Sequence, residues 1–247
     1  KINDKNLEYK PSPSLLDCLI NYEKKKNKIE NFSLNSIWTN ENIKEKDYKK
    51  LHNYTNWVFL SSKPAETLYY AKMQVDEEAI ADFKEILSLC KKEQLNCKLY
   101  ISPAHVDLDG QGISEAGLYH GFEKWKRQLA KITNEENMTL WDFSGYNNIT
   151  TEPVKTPMRY YWDSSHFTEE VGDFILDRIF SISNSQIPKD FGTKIRPKNI
   201  ELFLNKMREN KQAYNDTYID KVEALSLMYR DALNGEKIDT TSLVGMF

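Results

Sequence analysis

From residue 76 onward the apolar positions of this chain fall into regular registers. In "DEEAIADFKEILSLCKKEQLN" (76–96), Ile80, Phe83, Ile86, Leu87 and Cys90 recur at spacings of three and four, which places them on one helical face. Asp76 stands where an N-cap is needed, and Asn96 reads as the stop. "CKLYIS" (97–102) is a short, mostly apolar run closed by Pro103, the signature of a buried strand. A second helix follows in "SEAGLYHGFEKWKRQLAKI" (114–132), with Ser114 as cap and Leu118, Phe122, Trp125, Leu129 and Ile132 on one face. "MTLWDF" (138–143) predicts the next strand and "SGYNN" a turn after it. The helix over 168–181 opens at Thr168, carries Glu169 and Glu170 in its first turn, and buries Val171, Phe174, Ile175 and Ile179.

On either side of this block the pattern changes. Residues 14–32 read as a helix with apolar first turns and a basic end, whereas 33–75 lack sustained periodicity and read as an irregular insertion. Beyond Ile187, "PKNIELFLNKMRENKQAYND" and "TYIDKVEALSLMYRDALNG" are two amphipathic helices with charged outer faces. The order helix–strand–helix–strand–turn–helix predicts an α/β layered fold with a largely parallel sheet over 1–190. Residues 191–247 then form a helical extension that packs on this domain or meets a protein partner. Sheets of that type hold ligands at the carboxyl ends of their strands. "SPAHVDLDGQG", "SGYNN" and the turn "YYWDSSHF" all fall at such ends.

Composition narrows the function. Lys plus Arg total 34 against 37 Asp plus Glu, a net charge of −3, so no positive field gathers nucleic acid. No apolar run approaches the roughly 18 residues of a spanning helix. The opening "KINDKNLEYKPSPS" has no apolar signal core, and without an initiator Met the chain reads as part of something longer. Cys18, Cys90 and Cys97 match no metal spacing. Buried free thiols are the simplest reading of Cys90 and Cys97; a bond between them requires an oxidising compartment.

The chemistry-bearing stretch is "YYWDSSHFTEEVGDFILDRIF" (160–180). Asp163 and His166, three apart in an aromatic turn, have the spacing for a carboxylate to fix the imidazole tautomer and leave Nε2 as a base toward a hydroxyl. The competing reading is a histidine that caps or packs at a strand–helix junction. His105 either contacts an acyl group or glycan or is a backbone-bonded loop histidine. "HVDLDGQG" lacks the third acid and terminal Glu of an EF-hand, so no calcium loop is expected.

"MRYYWDSSHFTEEVGDFILDRIF" resembles the last block of SGNH/GDSL-type hydrolases and their acyltransferase relatives, which carries the catalytic pair as D-x-x-H. The series "YISPAH", "GLYHGFEKWKRQLAKI", "LWDFSGYNNIT", "YYWDSSHFT" and "IPKDFGTKI" resembles more specifically a group of bacterial SGNH-like proteins, commonly membrane-anchored and found with envelope or polysaccharide genes. The resemblance spans roughly 76–230. It implies a three-layer, flavodoxin-like sandwich, with Asp163 as orienting acid and His166 as base. It further implies an esterase or O-acyltransferase acting on acyl, in particular acetyl, esters of an envelope carbohydrate with no metal or organic cofactor, and an anchor upstream of Lys1. Asn147 in "SGYNN" resembles the family's oxyanion block but sits late in the order, so a donor role and a structural turn both stand.

The family's nucleophilic Ser, in a G-x-S turn early in the domain, has no counterpart here. Ser61 and Ser62 after "WVFL" are weak candidates, and Ser164 and Ser165 lie inside the Asp–His turn. Two functions therefore compete. One is an ester-processing domain with its nucleophile supplied upstream. The other is a non-catalytic module whose aromatic residues Tyr146, Tyr160, Tyr161 and Trp162 bind glycan, or whose terminal helices bind a partner.

Overall fold

The computed structural model describes residues 76–234 except 155–157 and 163, all within the second of two compact units, Lys49–Phe247. Asp163, Ser61, Ser62, Cys18 and the helix expected over 14–32 lie outside the described residues, as does the insertion 33–75.

Helix α1 spans Glu77–Lys92. Its N-cap is Asp76, whose carboxylate accepts the Glu78 N–H at 2.9 Å. Acidic Glu77 and Glu78 then lie at the positive end of the helix dipole and Lys91 and Lys92 at the negative end. Strand β1 (Leu99–Ile101) follows. Next come a π-helical turn (Asp107–Gly112) and a short helical turn (Ile113–Glu115), then α2 (Tyr119–Glu135). Strand β2 (Leu140–Asp142) and helix α3 (Glu169–Phe180) complete the block legible from periodicity. Strand β3 (Thr193–Ile195) precedes α4 (Ile200–Thr217) and α5 (Ile219–Asn234).

The sheet corrects the expected architecture. Its order is β1-β2-β3, with β1 parallel to β2 (Tyr100 opposite Trp141) but β3 antiparallel to it (Lys194 opposite Trp141). Among the described residues this is a three-stranded mixed sheet of three-residue strands with flanking helices. Among these residues it is not a mostly parallel three-layer sandwich of the SGNH or flavodoxin type. Strand β3 lies near the start of the segment 191–247 and joins it to the sheet ahead of its two helices.

Two apolar clusters occupy the two sheet faces. One gathers Leu87, Leu129, Leu140, Ile195 and Leu204 beneath α1, α2 and α4. The other gathers Phe143, Ile149, Phe174 and Phe191 beneath α3. Between α2 and the end of β2, Lys126 is fully buried. Its ammonium bonds the Asp142 carboxylate and the Ser144 hydroxyl and lies 4.6 Å from the Phe122 ring centroid.

Cys90 at the end of α1 is bonded to Cys97, with Cα atoms 6.2 Å apart. The free-thiol reading is thereby replaced by the paired one. The bond closes a short loop, separation 7, between a helix end and the strand it feeds. By loop-closure entropy it stabilises the fold by about 2.5 kcal/mol. Replacing both cysteines with serine is expected to lower the unfolding free energy by about that amount in urea titrations, with reduction of the native protein having the same effect. No change on reduction would show that the thiols are unpaired in solution.

Candidate functional site

The segments after β1, after β2 and around residue 164 meet in space. Val106 N–H donates to the Thr150 carbonyl (3.0 Å) and His105 N–H to that of Ser164 (2.9 Å). His105 itself is fully buried, edge-on to the Tyr161 ring with centroids 5.3 Å apart. Its Nε2 lies 2.7 Å from the Glu152 carbonyl, and its Nδ1 accepts the Asp107 N–H at 3.3 Å. His105 thereby crosslinks the loops through both ring nitrogens, and its Nδ1 also lies 3.7 Å from the Asp107 carboxylate.

Asp107 anchors the terminal helices. Its carboxylate lies 2.9 Å from Lys221 Nζ and accepts the Tyr214 hydroxyl at 3.3 Å, while Tyr229 donates to its carbonyl. Burial foremost, with the Asp107 charge second, raises the Tyr214 phenol far above its ordinary pKa, so it remains a donor. Tyr119, beside a small void shared with Gly110 and Tyr146, is pushed up to about 12 by burial, with Glu123 adding to it.

The other sequence-selected residues divide between core and surface. Tyr161 is 1% exposed and donates its hydroxyl to the Pro103 carbonyl at 2.9 Å. Tyr146 is buried against Tyr214, with ring centroids 5.4 Å apart. Asn147 closes its own turn: its amide donates to the Phe143 carbonyl (3.1 Å), and its side-chain oxygen accepts the N–H groups of Ile149 and Thr150. Trp162 is half-buried.

His166 is exposed on a loop pinched by the antiparallel bridge between Tyr161 and Phe167 and by the Trp162 N–H to His166 carbonyl bond, 2.8 Å. The hydroxyl beside its Nδ1 is that of its neighbour Ser165, at 3.2 Å. The described residues of this loop line neither the void beside Tyr119 nor the larger cleft between α1 and α2. Asp163 is outside the described residues.

That cleft, of about 730 Å³, opens over β1. Phe83 and Ile80 form one wall, Phe122, Trp125 and Leu129 the other, with Leu99 in the floor. Phe122 and Trp125 stack nearly parallel, 5.7 Å apart. Polar groups appear at Asp76 and Ser102, near the start of α1 and the end of β1. Sequence periodicity identifies these apolar residues but makes all of them core. Whether an apolar face is covered depends on how far apart two helices sit, which a single sequence does not encode.

Comparisons of the chain with protein-family models, with curated proteins and with solved structures found no match. The resemblance to SGNH/GDSL-type hydrolases is corrected accordingly: the mixed three-stranded sheet is not that fold. The esterase and O-acyltransferase reading goes with it, because no nucleophile arrangement exists among the described residues. The buried Ser144 hydroxyl donates to Asp142 Oδ1 at 2.8 Å and accepts from Lys126. Among the described residues, no three His, Cys, Asp or Glu side chains gather as a metal site, and no helix is long and apolar enough to cross a membrane.

Proposed function

We propose that this chain is a binding module whose ligand is a hydrocarbon, an acyl or alkyl chain, received in the cleft between α1 and α2. The carrying observation is the cleft itself. Its volume of about 730 Å³ falls within the few-hundred to thousand Å³ range of small-molecule sites, and its walls are aliphatic and aromatic. A sugar ring placed there would bury hydroxyls without partners, at a cost of about 1–3 kcal/mol each. A hydrocarbon loses nothing of that kind and gains about 0.8 kcal/mol per buried methylene. The polar pair Asp76 and Ser102 leaves room for a ligand head group near the end of the cleft. An acylated carbohydrate would fit by its acyl arm. The Cys90–Cys97 bond supports an oxidising, extracytoplasmic setting such as a bacterial envelope.

Gly121 supplies a clean test. It lines the cleft, and a Cβ built on it meets no atom within 4 Å. Gly121→Leu therefore directs its side chain into ligand space, and in the first turn of α2 it replaces a glycine with a better helix former. Binding of a fluorescent C12–C18 fatty acid is expected to weaken at least tenfold in Gly121→Leu while the unfolding midpoint rises or holds. Equal binding by the native and substituted proteins would overturn the assignment, as would no saturable binding by the native protein.

A further inference from the structure

We propose that the Cys90–Cys97 pair is a redox switch for the cleft: α1 becomes a fixed wall, and ligand binds tightly, once the two thiols are joined. This control acts on the hydrocarbon site and rests on that reading of the cleft. Helix α1 serves the cleft with its first half, through Asp76, Ala79, Ile80 and Phe83. Strand β1 supplies Leu99 to the floor, with Tyr100 and Ile101 beside it. Wall and floor are thus separate elements joined by residues 93–98, and each residue of that link except Cys97 is exposed. A link without burial does little by itself to hold its two ends in place. Within it Gln94 has φ +51°, a left-handed conformation that a glutamine keeps where its surroundings impose it.

Among the described residues, three ties act on the far end of α1, and they differ in kind. Leu87 is fully buried in the cluster that includes Leu129 and Leu204, an apolar contact without direction. Lys91 reaches Glu136 at the end of α2 at 2.5 Å, but both side chains are more than a third exposed, so water weakens the pair. The disulfide is the one covalent tie, from the last turn of α1 to the residue two positions before β1. Without it, the wall stays packed at Leu87 yet is free to change its separation from the floor at Phe83, about one turn away. A site that is formed for only part of the time binds more weakly by that fraction.

Cys97 is the more accessible partner, since Cys90 is only 5% exposed. In the switching step the Cys97 thiolate attacks a disulfide-bearing oxidant, giving a mixed disulfide and releasing one oxidant thiol. The Cys90 thiolate then displaces the second oxidant thiol and closes the bond. The pair loses two electrons and two protons, and the oxidant takes them up as two thiols. A dithiol reductant reverses the exchange. By reciprocity, bound hydrocarbon makes the bond harder to reduce by the same factor that the bond strengthens binding.

The test uses the full chain carrying Cys18→Ser, so that thiol titration reads this pair alone, and a fluorescent C16 fatty acid as probe. The oxidised protein is expected to bind the probe at least about fivefold more tightly than the same protein reduced with dithiothreitol. Cys90→Ser/Cys97→Ser should match the reduced form. Saturating probe should shift the dithiothreitol midpoint of the bond by the same factor. Hydrogen exchange should quicken at α1 amides on reduction while α2 and β2 stay protected. Equal affinity of the oxidised and reduced forms would overturn the switch and leave the hydrocarbon cleft standing. No saturable binding by the oxidised protein would reject the cleft and the switch together. Should reduction unfold the whole chain, α1 and α2 amides would exchange alike, which rejects a local switch in favour of a purely stabilising bond.

Discussion

Lys126→Met is expected to destabilise the protein by about 3–5 kcal/mol, a large share of the roughly 5–15 kcal/mol that holds a domain folded. The lysine and Asp142 are both fully buried, at the junction of α2 and β2. Folding removes two charges from water, and their pairing is what makes this tolerable. The Asp142 carboxylate also accepts the Ser144 N–H at 2.9 Å and the Ser144 hydroxyl at 2.8 Å, and the ammonium sits between the rings of Phe122 and Phe203. Methionine preserves most of the packing volume but strands the carboxylate in the core with only its two Ser144 donors. Removing both charges is a smaller perturbation than removing one, since buried pairs exchanged for apolar residues are often neutral. The variant Lys126→Met/Asp142→Leu is thus expected to be more stable than the sum of the single changes by at least about 2 kcal/mol, within the range of couplings between contacting residues. Urea unfolding of the four proteins measures this cycle. A loss below about 1 kcal/mol for Lys126→Met would mean that water reaches the pair.

This interaction illustrates what the sequence conceals. The helix bearing Lys126 is legible because Phe122, Trp125, Leu129 and Ile132 repeat at helical spacing, and a lysine inside that pattern reads as solvent-facing. Its burial depends on Asp142, 16 positions away on another element. The same reasoning applies to Asp107, whose partners Tyr214 and Lys221 lie more than 100 positions downstream. Local signals fare better. Asp76 caps α1, and Val171, Phe174 and Ile175 are buried on α3 as their spacing predicts. The expected cap at Ser114 fails: Gly117, at φ +72°, interrupts the helix, and α2 begins only at Tyr119. Ile86, expected on the buried face of α1, is 55% exposed.

The sheet departs from expectation for a related reason. Alternating helices and strands are the grammar of parallel sheets, yet "GTKI" carries no hydrophobic alternation from which an antiparallel β3 could be read. The D-x-x-H spacing is equally ambiguous. A tight loop closed by a single bridge, Tyr161 to Phe167, also brings residues three apart into one turn. Fold class and mechanism, read from sequence, both rest on local patterns that more than one tertiary arrangement satisfies.

Gly192→Ala is expected to cost about 3 kcal/mol, and the reason lies in how β3 enters the sheet. Gly192 precedes β3 and has φ +87°, a conformation that costs an L-residue about 1–2 kcal/mol. Space is a second obstacle. A Cβ there would meet the Phe143 ring, with Cδ1 at 2.8 Å and Cε1 closer still. The ring has no freedom to withdraw: Phe143 is fully buried, stacked on Trp141 at 5.8 Å and held by Phe191 at 4.9 Å between centroids. Forcing a methyl group into such packing costs a further ~1–3 kcal/mol. Gly117 separates the two contributions, since it too has positive φ (+72°) but no atom within 4 Å of the Cβ position. Gly117→Ala should cost only the backbone share, about 1 kcal/mol, in the same unfolding assay. The excess at Gly192 then measures how rigidly Phe143 is held against β3, and equal losses at the two sites would show that the ring gives way.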